Sequence, residues 1–104
     1  MDVEWNKQVS YLIVQARQKV KEGKLVKAEI EYDEGIRKVK ITGDFFLHPE
    51  DTLEKIEQSM IGLKKDACME TIVHNIRRIA EAHDAVMIGI GPESLALVIK
   101  EALK

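Results

Sequence analysis

Apolar and polar residues alternate most cleanly from Leu25 to Tyr32. Val26, Ala28, Ile30 and Tyr32 fall on one side, and Lys27, Glu29 and Glu31 on the other. A period of two residues marks a strand with one face in a core and one in water. The alternation resumes over 36–42, with Val39 and Ile41 inward and Lys38 and Lys40 outward. Asp33-Glu34-Gly35 between the two runs is a short hairpin connection with glycine at its end. Upstream, the pattern admits two periods. Val9, Leu12, Ile13, Ala16 and Val20 fit a helical face, whereas Leu12, Val14, Ala16 and Val20 share a strand face with Gln18 among them. The β propensity of Tyr11-Leu12-Ile13-Val14 tilts the assignment toward a strand over 11–20, closed by a turn at Glu22-Gly23-Lys24.

Beyond residue 48 the period lengthens. Leu53, Ile56, Met60 and Leu63 recur at helical spacing and predict a helix over 49–61. Pro49 suits its first position, Glu50 and Asp51 place negative charge in its first turn, and Gly62 is a natural stop. A second helix is predicted over 66–83, with Ile72, Ile76, Ile79 and Ala80 inward. The wholly apolar run 85–90 reads as a buried strand, and Gly91-Pro92-Glu93-Ser94 opens a last helix that buries Leu95, Val98, Ile99 and Ala102. Between strands and helices, Gly43-Asp44 interrupts the β pattern and Phe45-Phe46-Leu47 forms a dense apolar knot. The order is strands, two helices, strand, helix. It predicts an α+β fold: a mostly antiparallel sheet with helices packed on one face.

Composition narrows the function. A chain of 104 residues accommodates a single domain over 1–104. Sixteen basic residues against eighteen acidic ones lack the basic excess of a nucleic-acid binder, and two Phe, two Tyr and one Trp leave few rings for base stacking. The single cysteine, Cys68, can form neither an internal disulfide nor a thiolate metal site. No apolar run approaches the roughly 20 residues of a membrane span. The start, Met1-Asp2-Val3-Glu4-Trp5, is acidic where a signal peptide is basic. A soluble, cytoplasmic protein with no nucleic-acid or membrane partner is expected.

No catalytic constellation stands out. His48 is positioned to cap the helix after it, His74 points away from the apolar face of its helix, and His74 and His83 are nine apart, a poor match to zinc-ligand spacing. No metal site is expected. Cys68 lies near a helix start, where a thiol pKa can fall, but it reads as an ordinary thiol. Gly89-Ile90-Gly91-Pro92 follows a strand and opens a helix, yet it lacks the third glycine of a dinucleotide turn and the Gly-Lys-Ser/Thr of a P-loop. Lys19, Lys21, Lys24 and Lys27 form a cluster that either contacts an anion or simply solvates a hairpin among Glu22, Glu29 and Glu31. The least generic stretch is Thr42-Gly43-Asp44-Phe45-Phe46. A glycine permits a bend at a strand end, an Asp beside it can bond to nearby amides, and two adjacent aromatics point to different sides. One of them can face the core and the other a partner.

The run from Val39 through Thr42-Gly43-Asp44-Phe45-Phe46-Leu47-His48-Pro49-Glu50-Asp51 resembles the signature of the lipoate–protein ligase C-terminal domain, an I-x-G-D-F-F-x-x-P-E type motif. Its continuation, Leu53-Glu54 to Gly62, is similar to that family's L-E-x-x-L-x-G helix. Lys19-Val20-Lys21-Glu22-Gly23-Lys24-Leu25 resembles the family's lysine and glycine turn, with one glycine where a pair is common and Lys21 where proline is frequent. Gly89 to Leu95 resembles its final strand-to-helix step. The resemblance covers about 16–104.

The resemblance implies the fold of the sulfur-transfer and iron–sulfur scaffold proteins. It also implies a stand-alone small subunit of a bipartite, archaeal-type ligase, without catalytic residues of its own and inactive without its partner. A large catalytic subunit would hold ATP, Mg and lipoate and form lipoyl-adenylate. The lipoyl group would then pass to a lysine on lipoyl domains of acyltransferase or glycine-cleavage proteins. This chain would bind no cofactor alone. Its role would be to close the site, with Thr42, Gly43, Asp44, Phe45, Phe46 and Pro49 as family-motif residues for structure or partner contact. Lys21 and Lys24 are the candidates for phosphate contact, and Trp5 is a further candidate anchor. Three rivals stand beside this reading: a sulfur-transfer helper using Cys68, an interaction module with no ligase partner, and a piece of a longer ligase. An iron–sulfur scaffold needs several cysteines and is excluded by the presence of one.

Overall fold

The computed structural model describes residues 11–104. Val9 and Trp5, and with them the proposed Trp5 anchor, lie outside the described residues. Three strands, β1 (Leu12–Lys19), β2 (Leu25–Tyr32) and β3 (Ile36–Gly43), form an antiparallel sheet in that order. The ambiguous first segment is therefore a strand. Its pairing with β2, Leu12 opposite Tyr32 through Lys19 opposite Leu25, sets Val14, Ala16 and Gln18 on the same side as buried Ala28 and Val26. Gly23 makes the turn at φ +97°, a left-handed conformation that glycine adopts without steric cost.

The β2–β3 hairpin closes on Asp33, whose Oδ1 accepts from Gly35 N at 3.1 Å. The register then slips by one residue between Glu31 and Tyr32: Tyr32 faces Ile36 and Glu31 faces Lys38, leaving Arg37 as the extra residue of a bulge. The slip explains why Ile36, Val39 and Ile41 are all buried although they are not spaced by strict twos.

A short strand β4 (Phe46–His48) precedes helix α1 (Asp51–Ser59). Helix α2 (Met69–Ala82), a second short strand β5 (Val86–Ile88) and helix α3 (Pro92–Ala102) complete the order. Both central helices are shorter than the periodicity predicted. Pro49 is not the first position of α1; it ends the strand segment, its carbonyl accepts from Thr52 N at 3.0 Å, and Glu50 holds the N-cap position. His48 does not cap the helix, because its backbone is paired with Val86 in the β4–β5 ribbon. The segment before α2 is drawn away from helix by Lys64, which bridges to Gly35 beside β3. Gly62, at φ +95°, ends the α1 region as predicted, and its N–H donates to Ile36 O at 2.9 Å.

All three described helices lie on one side of the large sheet, as an α+β fold with one wet face requires. α3 packs on β1 and β2, α1 packs on β3, and α2 lies against both helices. The core between them holds Val26, Ala28, Ile30, Ile36 and Ile41 from the sheet. Ile56, Met60, Ile72, Ile76, Leu95, Val98 and Ile99 come from the helices. The outer edge of β3 is closed: Ile36 N donates to Leu63 O at 2.7 Å and Ile41 N donates to the Glu57 carboxylate at 2.8 Å. Covering an edge in this way removes a template for unwanted strand pairing.

The run 85–90 departs most from expectation. Only Val86–Ile88 is strand, and it is not buried: it pairs with β4 in a separate two-stranded ribbon, and Val86 and Ile88 are 53% and 59% exposed. Gly89, at φ +84°, then turns the chain so that Ile90 enters the core. No described helix is long and apolar enough to cross a membrane.

Candidate functional site

Three connections that are far apart in sequence meet at one end of the molecule. They are the β1–β2 turn, the corner from β3 into β4, and the loop from β5 into α3. The β1–β2 turn is held by Val20 N donating to Lys24 O at 2.9 Å and Gly23 N donating to Val20 O at 2.8 Å. The corner is tied to it by Asp44 N, which donates to Leu25 O at 3.2 Å. Gly43 makes this approach possible: a Cβ there would stand 2.3 Å from the Leu25 carbonyl oxygen and 3.0 Å from the Phe45 ring. The third connection reaches the turn through Gly89, where a Cβ would lie 2.7 Å from the aliphatic stem of Lys24.

The N-terminus of α3 explains why Gly89-Ile90-Gly91-Pro92 resembles a phosphate turn without being one. Glu22 of the β1–β2 turn supplies the anion from within the chain. Its Oε1 accepts from the hydroxyl of buried Ser94 at 2.7 Å, and its Oε2 lies 3.1 Å from where a Cβ on Gly91 would stand. A carboxylate at a helix N-terminus is favoured by the helix dipole. This places Lys21 and Lys24 on either side of a glutamate that is already engaged. Lys24 lies along Gly89, and Lys21 lines a cleft of about 300 Å³ with Lys19, Met69, Ser94 and Leu97.

The two adjacent phenylalanines face opposite ways. Phe45 is half-buried and packs on the core, while Phe46 is 68% exposed. Register places Phe46 opposite Ile88, Leu47 opposite Met87 and His48 opposite Val86. One side of this ribbon therefore carries Leu47, buried, and Met87, half-buried. The other carries Phe46, Ile88 and Val86, all apolar and exposed, with His48 beside them. Three large apolar side chains side by side on a paired ribbon form a contiguous patch of the kind that marks an interaction site.

The remaining predicted residues are placed as follows. Thr42 points to the wet face of the large sheet, opposite Lys27. The Asp44 carboxylate accepts no hydrogen bond among the described residues; the tie at this corner is made by its backbone N–H instead. Pro49 is half-buried at the end of the ribbon. Cys68 is exposed at the N-cap of α2, next to Met69 of that cleft, and its Sγ lies 3.2 Å from Thr71 Oγ1. That hydroxyl lowers the thiol pKa from its ordinary value. His74 is exposed on α2 and His83 ends it. Among the described residues, no three His, Cys, Asp or Glu side chains cluster closely enough to hold a metal ion.

The residues that sequence reasoning missed are Val86 and Ile88, read as core. A signal was present: Phe46 and His48, like Val86 and Ile88, are spaced by two, and a histidine on the same face as Phe46 marks that face as the wet one.

No family model matches this sequence, and no curated protein matches it. Among solved structures, a chain from an archaeal lipoylation system, a bi-partite lipoate protein ligase and its E2 lipoyl domain from Thermoplasma acidophilum, aligns with a TM-score of 0.70. The alignment covers 86% of this chain and 96% of that chain, at 24% identity. The two chains share one fold. Coverage that is nearly complete in both directions means that the likeness extends over the whole domain and not over a single motif.

Proposed function

We propose that this chain is the accessory subunit of a bipartite lipoate–protein ligase. In this reading it works in the cytoplasm with a larger catalytic chain. That chain binds ATP, Mg and lipoate and forms lipoyl-adenylate for transfer to a lysine of lipoyl domains. The observation that carries the proposal is the whole-domain fold shared with a chain of the Thermoplasma acidophilum system. The Gly43-Asp44-Phe45-Phe46 motif adds support, because its glycine and its exposed phenylalanine sit at the same end of the fold.

The apolar face of the β4–β5 ribbon is the proposed contact with the catalytic chain. Covering Phe46, Ile88 and Val86 removes apolar surface from water, worth roughly 1–2 kcal/mol for each residue at their present exposure. This chain then contributes closure: it excludes water and holds the partner's loops over the reacting groups.

The test is lipoate-dependent release of pyrophosphate from ATP by the candidate large chain, with and without this one. Release should require both chains. Phe46→Ser combined with Ile88→Ser should leave the isolated chain folded and weaken the complex by about 2 kcal/mol or more, roughly 30-fold in Kd. If the large chain is equally active alone, the accessory role is wrong and this protein is an interaction module of another system.

A further inference from the structure

The wet face of the large sheet carries a charge arrangement that its own folding does not call for. Where two charges stand opposite each other across β2 and β3 they are complementary: Glu29 is opposite Lys40 and Glu31 opposite Lys38. One row breaks the rule. Arg17 of β1 stands directly opposite Lys27 of β2, and Lys27 in turn stands opposite Thr42 of β3. Like charges directly opposed in a sheet are destabilising.

Lys27 is the centre of the anomaly. Lys19 is diagonal to it on β1, because Lys19 is paired with Leu25, two residues from Lys27. Lys40 is diagonal to it on β3, because Lys40 is paired with Glu29, two residues away on the other side. Such diagonal neighbours are about 7–8 Å apart, within reach of long side chains. Four cations thus surround one row, with Glu29 as the adjacent carboxylate. Arg17, Lys19, Lys27 and Lys40 are all exposed, and none makes an ion pair within the described residues. Lys27, Glu29, Lys40 and Thr42 line a depression of about 180 Å³ at this point.

We infer that this row is a binding site for a small anion carrying more than one phosphoryl group. Adjacent strands are about 4.8 Å apart, so the cations of β1, β2 and β3 span about 10 Å. A single phosphate reaches two strands of that span, whereas a diphosphate reaches all three. Lysine ammonium groups and the Arg17 guanidinium donate charge-assisted hydrogen bonds to phosphoryl oxygens, and the Thr42 hydroxyl donates a neutral one. Glu29, opposite Lys40 in register, is the one carboxylate lining the depression. The site is centred on Lys27 and not on the Lys21–Lys24 turn, where Glu22 already serves as the local anion; Lys19, which also lines the cleft holding Lys21, is its nearest approach to that turn. It requires only this chain and does not rest on the ligase reading.

The experiment is an amide NMR titration of the full chain with inorganic pyrophosphate, and in parallel with orthophosphate, at ionic strength held constant with sodium chloride. Constant ionic strength separates binding from screening. Saturable shifts are expected at Arg17, Lys27, Lys40 and Thr42, with pyrophosphate binding roughly tenfold more tightly than orthophosphate. Lys27→Gln should weaken pyrophosphate binding by roughly tenfold while raising the melting temperature of the anion-free protein, because it relieves the like-charge contacts. Shifts that fail to saturate, shifts centred on Lys21 and Lys24, or shifts unchanged in Lys27→Gln would each overturn the assignment. A fall in the anion-free melting temperature of Lys27→Gln would overturn the charge argument behind it.

Discussion

Gly43→Ala tests directly the close approach of the β3–β4 corner to the β1–β2 turn. The added methyl would lie 2.3 Å from the Leu25 carbonyl oxygen, against an ordinary contact of about 3.4 Å or more. One of the two backbones must therefore move by about 1 Å. The Phe45 ring, 3.0 Å away on the other side, blocks an easy retreat and is itself packed on the core. Overpacking of this kind costs about 1–3 kcal/mol. The hydrogen bond from Asp44 N to Leu25 O lies in the same contact, and its loss adds about 1 kcal/mol. The sum is about 2–4 kcal/mol, which in a domain of this size corresponds to a fall in Tm of roughly 10–25 °C. Thermal unfolding followed by circular dichroism measures it. Gly23→Ala is the control: its φ of +97° imposes a backbone penalty, but nothing lies within 4 Å of the new methyl, so about 1 kcal/mol is expected. A Gly43→Ala protein that melts within a few degrees of the parent, or no lower than Gly23→Ala, would refute the close-approach argument.

Three further outcomes are expected. Thr52 is fully buried at the start of α1 with a hydroxyl that has no hydrogen-bond partner among the described residues, so Thr52→Val should stabilise the fold by about 1 kcal/mol in denaturant unfolding. Burial raises the Glu57 pKa above its ordinary 4.5, even though Ile41 N–H donates to the carboxylate and opposes the shift. The folded state then binds a proton more readily than the unfolded one. Glu57's contribution is greatest below pH 4.5 and declines as pH rises through the folded pKa. Glu57→Gln should remove this component from a melting profile taken between pH 4 and 7, a window that lies above the titration of Asp33. For Asp33 the hydrogen bond from Gly35 N lowers the pKa below 3.8, so its contribution is lost only as pH falls through that lower value. Thr71→Val should raise the Cys68 pKa and slow its alkylation by iodoacetamide, and on the proposed function alkylation of the parent should leave pyrophosphate release by the two-chain mixture unchanged. Loss of that activity on alkylation would revive the sulfur-transfer reading.

The strands and helices that face a single core were written in the chain's periodicity. Val26, Ala28 and Ile30 at intervals of two, and Ile72 and Ile76 at an interval of four, can be buried together only as a strand and as a helix. The α+β order follows from their succession. The motif Gly43-Asp44-Phe45-Phe46 could be singled out for the same local reason, since a glycine at a strand end and paired aromatics are unusual neighbours. Tertiary structure decided what local pattern leaves open. The run Val86-Met87-Ile88 is apolar whichever way it faces; its pairing with Phe46-Leu47-His48 in a ribbon apart from the main sheet turned Val86 and Ile88 outward. The partner that fills the α3 N-terminus, Glu22, comes from 72 residues away in the chain, beyond the reach of any motif. The opposition of Arg17 and Lys27 exists only through strand register, because ten residues of sequence separate two cations that pairing brings face to face. Periodicity is a property of neighbours along the chain, whereas exposure, anion pairing and cross-strand charge are properties of neighbours in space.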